Sequence, residues 1–323
     1  MNTQLFLPAK INVIDVTLRD GLQNEEVFVE TDAKLWIAER LIDAGFKKIE
    51  VGTFSHVKYV PQFKDILDVL AGLPDRDDVE YTVLALNRKG CERVVDALDK
   101  GLKIDRVLCG QLATSEAYAR KNMNRTHDEL FAEAEKNVRF LHDHGVKKTV
   151  ANIGTIFGCP IAGAVPIEKA YEFDDRAFSI GFDEIEHSDT EGIADPRKVY
   201  EYFVNVLEKY PDVSRHSFHV HDVYGMGLAS YLAAAMAGIT VFDATCGGIG
   251  GQVANIVNGV PVKGCGGYYY EGVRTGLVET GDFVGMLNRM NVETGIDDAK
   301  IAPITHMLER ILGHKLDSFT ARF

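Results

Sequence analysis

Eight short runs rich in β-branched and apolar residues alternate along this chain with longer, charge-rich amphipathic segments, and no other feature constrains the fold as strongly. The runs are Ile11 to Leu18, Lys48 to Thr53, Tyr81 to Leu86, Arg106 to Leu112, Thr149 to Ile156, Glu184 to Ser188, Ser217 to Val220 and Val241 to Ala244. Helical periodicity fills the gaps at Thr31 to Ala44, Val60 to Ala71, Lys89 to Lys100, Thr126 to His144, Pro166 to Ile180, Pro196 to Lys209 and Gly227 to Ala237. Glycines able to close a helix follow at Gly45, Gly101, Gly145, Gly181 and Gly238. Strict alternation of this kind builds a parallel sheet covered by helices. Eight units of roughly 30 residues predict a (β/α)8 TIM barrel, because an open doubly wound sheet has fewer strands and a Gly-rich first turn. Here the first turn reads Arg19-Asp20-Gly21.

The eight units reach about residue 255 of a 323-residue chain. The expectation is a catalytic barrel over 1–255, with 256–323 forming an active-site loop and a C-terminal helical extension of the same domain. That tail opens with Gly264-Cys265-Gly266-Gly267-Tyr268-Tyr269-Tyr270 and returns to helical periodicity over Asp282 to Met290 and Ile301 to Leu312. With 35 Lys and Arg against 48 Asp and Glu, the net charge is −13, and no long Lys/Arg run interrupts it. Nucleic acid and anionic membranes are therefore not expected partners. No window approaches about 18 uninterrupted apolar residues, the length of a membrane span. Five cysteines, an odd number with no C-x-x-C pair, point to a reducing compartment and a cytoplasmic location.

Barrel enzymes carry out chemistry where the C-terminal ends of the strands converge. That rim carries Arg19-Asp20 after the first run, Glu50 and Thr53 in the second, His187-Ser188-Asp189-Thr190 in the sixth and His219-Val220-His221-Asp222 in the seventh. His219 and His221, two apart on a strand, project to one face about 7 Å apart along the backbone. An H-x-H alone is more often surface or satisfied core. With Asp20 it forms a two-nitrogen, one-carboxylate set with open positions, which suits a divalent Lewis acid. Arg19 beside Asp20 is either a surface ion pair or a guanidinium placed to stabilise an enolate oxygen. Glu50, inside an apolar run, needs a cationic partner such as Arg19, because an unpaired buried carboxylate is costly. Arg120 and Lys121 in SEAYARKN are either a solvated helix start or contacts for phosphate or carboxylate. Cys159 reads as a structural loop residue.

These residues occur in an order that resembles hydroxymethylglutaryl-CoA lyases, among the metal-dependent TIM-barrel lyases and synthases. The resemblance rests on Arg19 to Glu25 (RDGLQNE), Lys58 to Gln62, Ser115-Glu116 with Lys121-Asn122, Gly158-Cys159-Pro160, Ser188-Asp189-Thr190, His219 to Asp222 with Tyr224-Gly225, and Gly248 to Gly251. It implies that Asp20, His219 and His221 bind Mg2+ or Mn2+, with Zn2+ also compatible. It further implies that Arg19 polarises a thioester carbonyl, that Glu50 supports Arg19, that Asp189 lies near the substrate and that Lys121 meets coenzyme A phosphate. The implied reaction is retro-aldol cleavage of a 3-hydroxyacyl-CoA to an acyl-CoA and an oxo acid, with Asp20 or a metal-bound water taking the hydroxyl proton. A small acyl-CoA or hydroxy-acid substrate is the expected partner, and a homodimer the candidate assembly.

Two positions depart from the family pattern. Gln252 follows Gly250-Gly251 where the lyases carry a proton-handling cysteine, and glutamine cannot deliver a proton. Cys265 is the candidate to supply that thiol from an enlarged loop. In Arg274-Thr275-Gly276-Leu277, Leu277 stands where the family has a metal-binding asparagine. Water, Asn255 or Asn258 are candidates for that position. The competing functions are a Claisen-type synthase joining an acyl-CoA to a 2-oxo acid, an aldolase on a free hydroxy-oxo acid, and a barrel that binds acyl-CoA or metal without turnover.

Overall fold

A computed structural model describes residues 6–251, 255–257, 260–262 and 276–322. Eight parallel strands close on themselves in sequence order: β1 Asn12–Asp15, β2 Lys48–Thr53, β3 Glu80–Leu84, β4 Arg106–Ala113, β5 Lys148–Gly154, β6 Glu184–Asp189, β7 His216–Val220 and β8 Val241–Ala244. Closure runs from Asn12 opposite Val241 to Asp15 opposite Ala244. The helices are α1 Thr31–Ala44, α2 Ile66–Gly72, α3 Arg88–Asp99, α4 Glu116–Met123, α5 His127–Asp143, α6 Glu168–Ser179, α7 Pro196–Lys209, α8 Gly227–Ala237, α9 Thr280–Arg289 and α10 Ala302–Leu312. A short antiparallel pair, β9 Asn255–Val257 and β10 Val260–Val262, follows the barrel. Among the described residues, no helix is long and apolar enough to cross a membrane.

Local chemistry explains where the elements start and stop. Asn87 caps α3 by accepting the Gly90 N–H at 2.9 Å, and Thr126 and Glu129 form a reciprocal capping box on α5. At the far end of α1, Gly45 has φ 113°, and a Cβ there would lie 2.1 Å from the Gly295 carbonyl, so both conformation and close approach require glycine. The first strand is shorter than its apolar run suggests. It stops at Asp15, whose carboxylate accepts the Thr17 N–H at 3.0 Å and the Thr17 hydroxyl at 3.1 Å, and the chain then makes a single π-helical turn over Thr17–Gly21. π-turns often mark functional sites, and this one carries Arg19 and Asp20.

The C-terminal helices join the barrel's outer layer. Phe283 of α9 packs edge-on against Tyr231 of α8 and Phe242 of β8, with ring centroids 5.0 and 5.4 Å apart. Helix α9, which follows β8 in the chain, thus packs against both β8 and α8.

Outward-facing strand residues such as Val83, Val107, Ile153, Phe218 and Phe242 bury against the helices in one continuous core. The inside of the barrel is different. Strand register sets Lys48 beside Glu80 and Arg106 beside Lys148, and these four, with Glu184, share the inward phase of their strands. Arg106 Nε donates to Glu184 at 2.7 Å and Lys148 to Glu80 at 2.6 Å, with Lys48 3.6 Å from the other Glu80 oxygen. Arg106 is 1% exposed, so its charge is unscreened by solvent.

Removing one partner of a buried pair leaves the other charge uncompensated, which typically costs about 3–5 kcal/mol. Arg106→Met is expected to lower unfolding stability by about that amount, measured from the urea midpoint. A loss under about 1 kcal/mol would show that the inner ion layer is not structural.

Candidate active site

Above that charged layer, the π-turn after β1 and the end of β7 meet. Arg19 Nε donates to Glu50 Oε2 at 2.7 Å, and its Nη1 donates to Asp20 Oδ2 at 2.6 Å, so one guanidinium bridges two buried carboxylates. The Asp20 carboxylate also accepts from Gln23 Nε2 at 2.8 Å and from the Gly251 N–H at 2.8 Å. Gly250 has φ 104°, and a Cβ on it would lie 2.5 Å from Asp20 Oδ1, which explains the glycine pair at the end of the eighth unit. Burial pushes Asp20 up, but Arg19, His219 and His221 override it and hold the carboxyl below its usual range.

His219 and His221 turn their Nε2 atoms toward each other at 3.2 Å. The other ring nitrogen of each is committed. Asp243 Oδ2 lies 2.9 Å from His219 Nδ1, and the Thr190 carbonyl lies 3.0 Å from His221 Nδ1. Those acceptors hold each ring by its Nδ1 and aim both Nε2 atoms toward Asp20. Burial pushes His221 down to about 4, with Asp20 opposing. Burial also disfavours charge on His219, but Asp243 and Glu186 raise it to about 9.

Asp20, His219 and His221 offer ligand atoms that all lie within 4.8 Å of one another, and all three side chains are buried. The fit to a divalent cation rests on charge as well as geometry. The buried carboxylates Asp20, Glu50, Glu186 and Asp243 gather around the cluster, with the Arg19 guanidinium against two of them. Two carboxylate oxygens there, Glu50 Oε1 and Asp243 Oδ1, have no hydrogen-bond partner. A cation at the three-ligand cluster would offset the negative charge of these buried carboxylates.

Not every expected residue joins this cluster. Asp189 faces the helix side of β6, where its carboxylate accepts the Ala194 N–H at 2.9 Å and shapes the following loop. Burial raises it to about 6. His187, next to it, hydrogen-bonds Tyr202 and His216 behind the barrel wall at 2.8 and 3.0 Å, so it is not a rim imidazole. Lys121 stands on the exposed side of α4, where neighbouring Arg120 pairs with Glu116 at 2.7 Å. Leu277 is buried with Ile14, Val16 and Val241, which makes that side of the site apolar. Cys159 is structural: its Sγ accepts the Ile161 and Ala162 N–H groups at 3.3 Å. Cys265, Gln252 and Asn258 lie outside the described residues.

Residues not singled out from sequence complete the site. Glu186 Oε1 lies 3.9 Å from His219 Nδ1 and accepts from Asn152 Nδ2 at 2.5 Å, and the same amide donates to Ser188 Oγ at 2.7 Å. Glu184, Glu186 and Ser188 follow the period-two rule along β6, so the argument made for Glu50 applies equally to Glu186 and Asp243.

The HMGL-like family model matches residues 10–308. Over 311 residues, 96% of each chain, the protein is 32% identical to a hydroxymethylglutaryl-CoA lyase of Bacillus subtilis. A crystal structure of the Bacillus subtilis HMG-CoA lyase superposes with a TM-score of 0.86 at 30% identity, covering 98% of both chains. An HMG-CoA lyase from Acinetobacter baumannii, in complex with coenzyme A and 3-methylmalate, superposes with a TM-score of 0.84 at 28% identity, covering 97% of this chain and 95% of that one.

If the three side chains share a cation, His221→Ala should reduce bound Mn2+ to background by equilibrium dialysis while leaving the circular dichroism spectrum unchanged. Full metal content in that variant would remove His221 from the ligand set.

Proposed function

This chain belongs to the HMGL-like family, and from that premise we propose that it is a carbon–carbon lyase that splits a 3-hydroxyacyl-CoA into an acyl-CoA and an oxo acid. The observation that carries the proposal is the convergence of Asp20, His219 and His221 beside Arg19 at the mouth of a closed barrel. The relatives support the substrate class: matched proteins bear the name hydroxymethylglutaryl-CoA lyase, and one solved relative contains coenzyme A.

Asp20, His219 and His221 would hold the divalent ion, for which Mg2+ and Mn2+ suit a mixed oxygen and nitrogen set and Zn2+ is also compatible. Bound there, it supplies Lewis acidity that lowers the pKa of the substrate hydroxyl. Everything else follows from the chain's own groups. Three protein ligands leave positions open for a chelating substrate, and Leu277 cannot fill one of them.

In the cleavage, the hydroxyl loses its proton and becomes a carbonyl as the adjacent carbon–carbon bond breaks, and the electron pair passes to the thioester enolate. Arg19 is fixed by Glu50 and Asp20 before any substrate arrives, so its remaining donor capacity is preorganised for the enolate oxygen. Asp20 is engaged by Arg19, Gln23 and Gly251 and held ionised, which suits a ligand and not the proton acceptor. Asn152 and Ser188 give the β5–β6 wall a polar surface for the substrate's second oxygen-bearing end. Cys265 is our candidate to return a proton to the enolate carbon, and Lys121 our candidate to meet the coenzyme A phosphates. Four buried, unpaired cysteines among the described residues fit a reducing cytoplasm.

Arg19→Met should lower kcat for thioester cleavage by about two to four orders of magnitude with little change in KM, as loss of a transition-state contact does. Normal turnover would exclude Arg19 from the chemistry, and absence of product with every hydroxyacyl thioester offered to the wild type would overturn the lyase assignment. Cys265→Ser is expected to lose most activity while Cys159→Ser keeps it; equal retention would rule out a proton-delivery role for Cys265.

A further inference from the structure

Four residues follow one another around the barrel mouth, each the first beyond its strand: Thr114 after β4, Thr155 after β5, Thr190 after β6 and His221 after β7. Hydrogen bonds join them into a belt. Thr114 Oγ1 donates to the Thr155 carbonyl at 2.8 Å, the Thr155 N–H donates to Thr190 Oγ1 at 2.9 Å, and the Thr190 carbonyl accepts from His221 Nδ1 at 3.0 Å. The middle member, Thr155, is strained. Its φ is 57°, in the left-handed region, where a β-branched residue is a genuine outlier. Among the described residues the other non-glycine positions with positive φ are Asn124 and Asn291, and asparagine tolerates that conformation.

Strain of this kind persists only where the surroundings over-determine the backbone, and it gathers at functional sites. Every polar group of Thr155 is engaged. Besides the two contacts of the belt, its hydroxyl accepts the Ser115 N–H at 3.1 Å and donates to the Gly154 carbonyl at 2.7 Å. Gly154 keeps the approach open, since a Cβ there would lie 3.1 Å from Thr190 Oγ1. Thr155 is fully buried, so it acts through its neighbours and not on a substrate. Thr190 is held by its hydroxyl on one side and offers its carbonyl on the other, and that carbonyl is the anchor of the His221 ring. We propose that Thr155 is a positioning residue for the His221 imidazole: its left-handed turn holds Thr190, and the Thr190 carbonyl then sets the direction of His221 Nε2. The link to metal affinity rests on the cation site read above, in which outer contacts to a ligand histidine govern how well it binds.

Two measurements on the full chain test this: Mn2+ titration followed by electron paramagnetic resonance, and nuclear magnetic resonance of the metal-free protein carrying isotope-labelled histidine. Thr155→Val keeps the branched shape and removes the anchoring hydroxyl, Thr190→Val removes the acceptor while keeping the carbonyl, and Thr155→Ser keeps the hydroxyl. The Mn2+ dissociation constant should rise about tenfold or more in both valine variants and stay within about threefold of the wild type in Thr155→Ser. The His221 Nδ1–H signal, assigned by its loss in His221→Ala, should shift and exchange faster with water in the valine variants only. If Thr155→Val does not fold, Thr155→Gly, which accepts the left-handed backbone without strain and lacks the hydroxyl, replaces it with the same expectations. A lower melting temperature with Mn2+ affinity and ring signal unchanged would make Thr155 a purely structural residue and overturn the proposal. Failure of the cation reading appears separately, as a wild type that binds no Mn2+ while the His221 ring signal still responds to the loss of the Thr155 hydroxyl.

Discussion

The arrangement of the site depends on one guanidinium. Arg19 sits in a barrel mouth crowded with carboxylates and bridges Glu50 from the second strand to Asp20 beside it. In a low-dielectric interior, neither carboxylate could remain ionised without that charge, and Arg19 could not be buried without them. The pair of contacts fixes the side-chain direction of all three groups. Asp20 is thereby presented, ionised, to the two imidazoles of the seventh strand.

The layers beneath extend the same constraint. Barrel interiors are commonly filled with branched apolar side chains. Here Lys48, Glu80, Arg106, Lys148 and Glu184 take inward strand positions, and Glu50, Glu186 and Asp243 take others. Asp243 and Glu186 orient His219 from below, while the Thr190 carbonyl orients His221 from the side. Such outer contacts set tautomer and ligand basicity as much as the ligands do. Leu277 then makes one side of the site apolar, beside the three buried side chains that could hold a cation. On the other side, Asn152 and Ser188 form a polar wall.

Much of this was legible in the chain. Period-two and helical patterns locate all eight strands within a few residues, because a parallel sheet buried on both faces leaves strong apolar runs. The H-x-H of the seventh strand and the Arg19-Asp20 pair could be read because strand ends and rim geometry are linked. What escaped depends on packing. The early end of β1 follows from Asp15 bonding Thr17, a local contact that the apolar run hides. The outward direction of Asp189 and His187 follows from strand register, which one sequence does not fix at the level of a single residue. Glu186 and Asp243 carried the same signal as Glu50, a carboxylate in an apolar strand, and were legible in principle.

The most direct measurement is the anomalous diffraction of a crystal of the protein equilibrated with Mn2+. The account predicts a single strong peak about 2.0–2.3 Å from an Asp20 carboxylate oxygen and from Nε2 of both His219 and His221, with the remaining positions taken by solvent or substrate oxygens. A peak elsewhere, or none at saturating Mn2+ with those three side chains still converging, would contradict it.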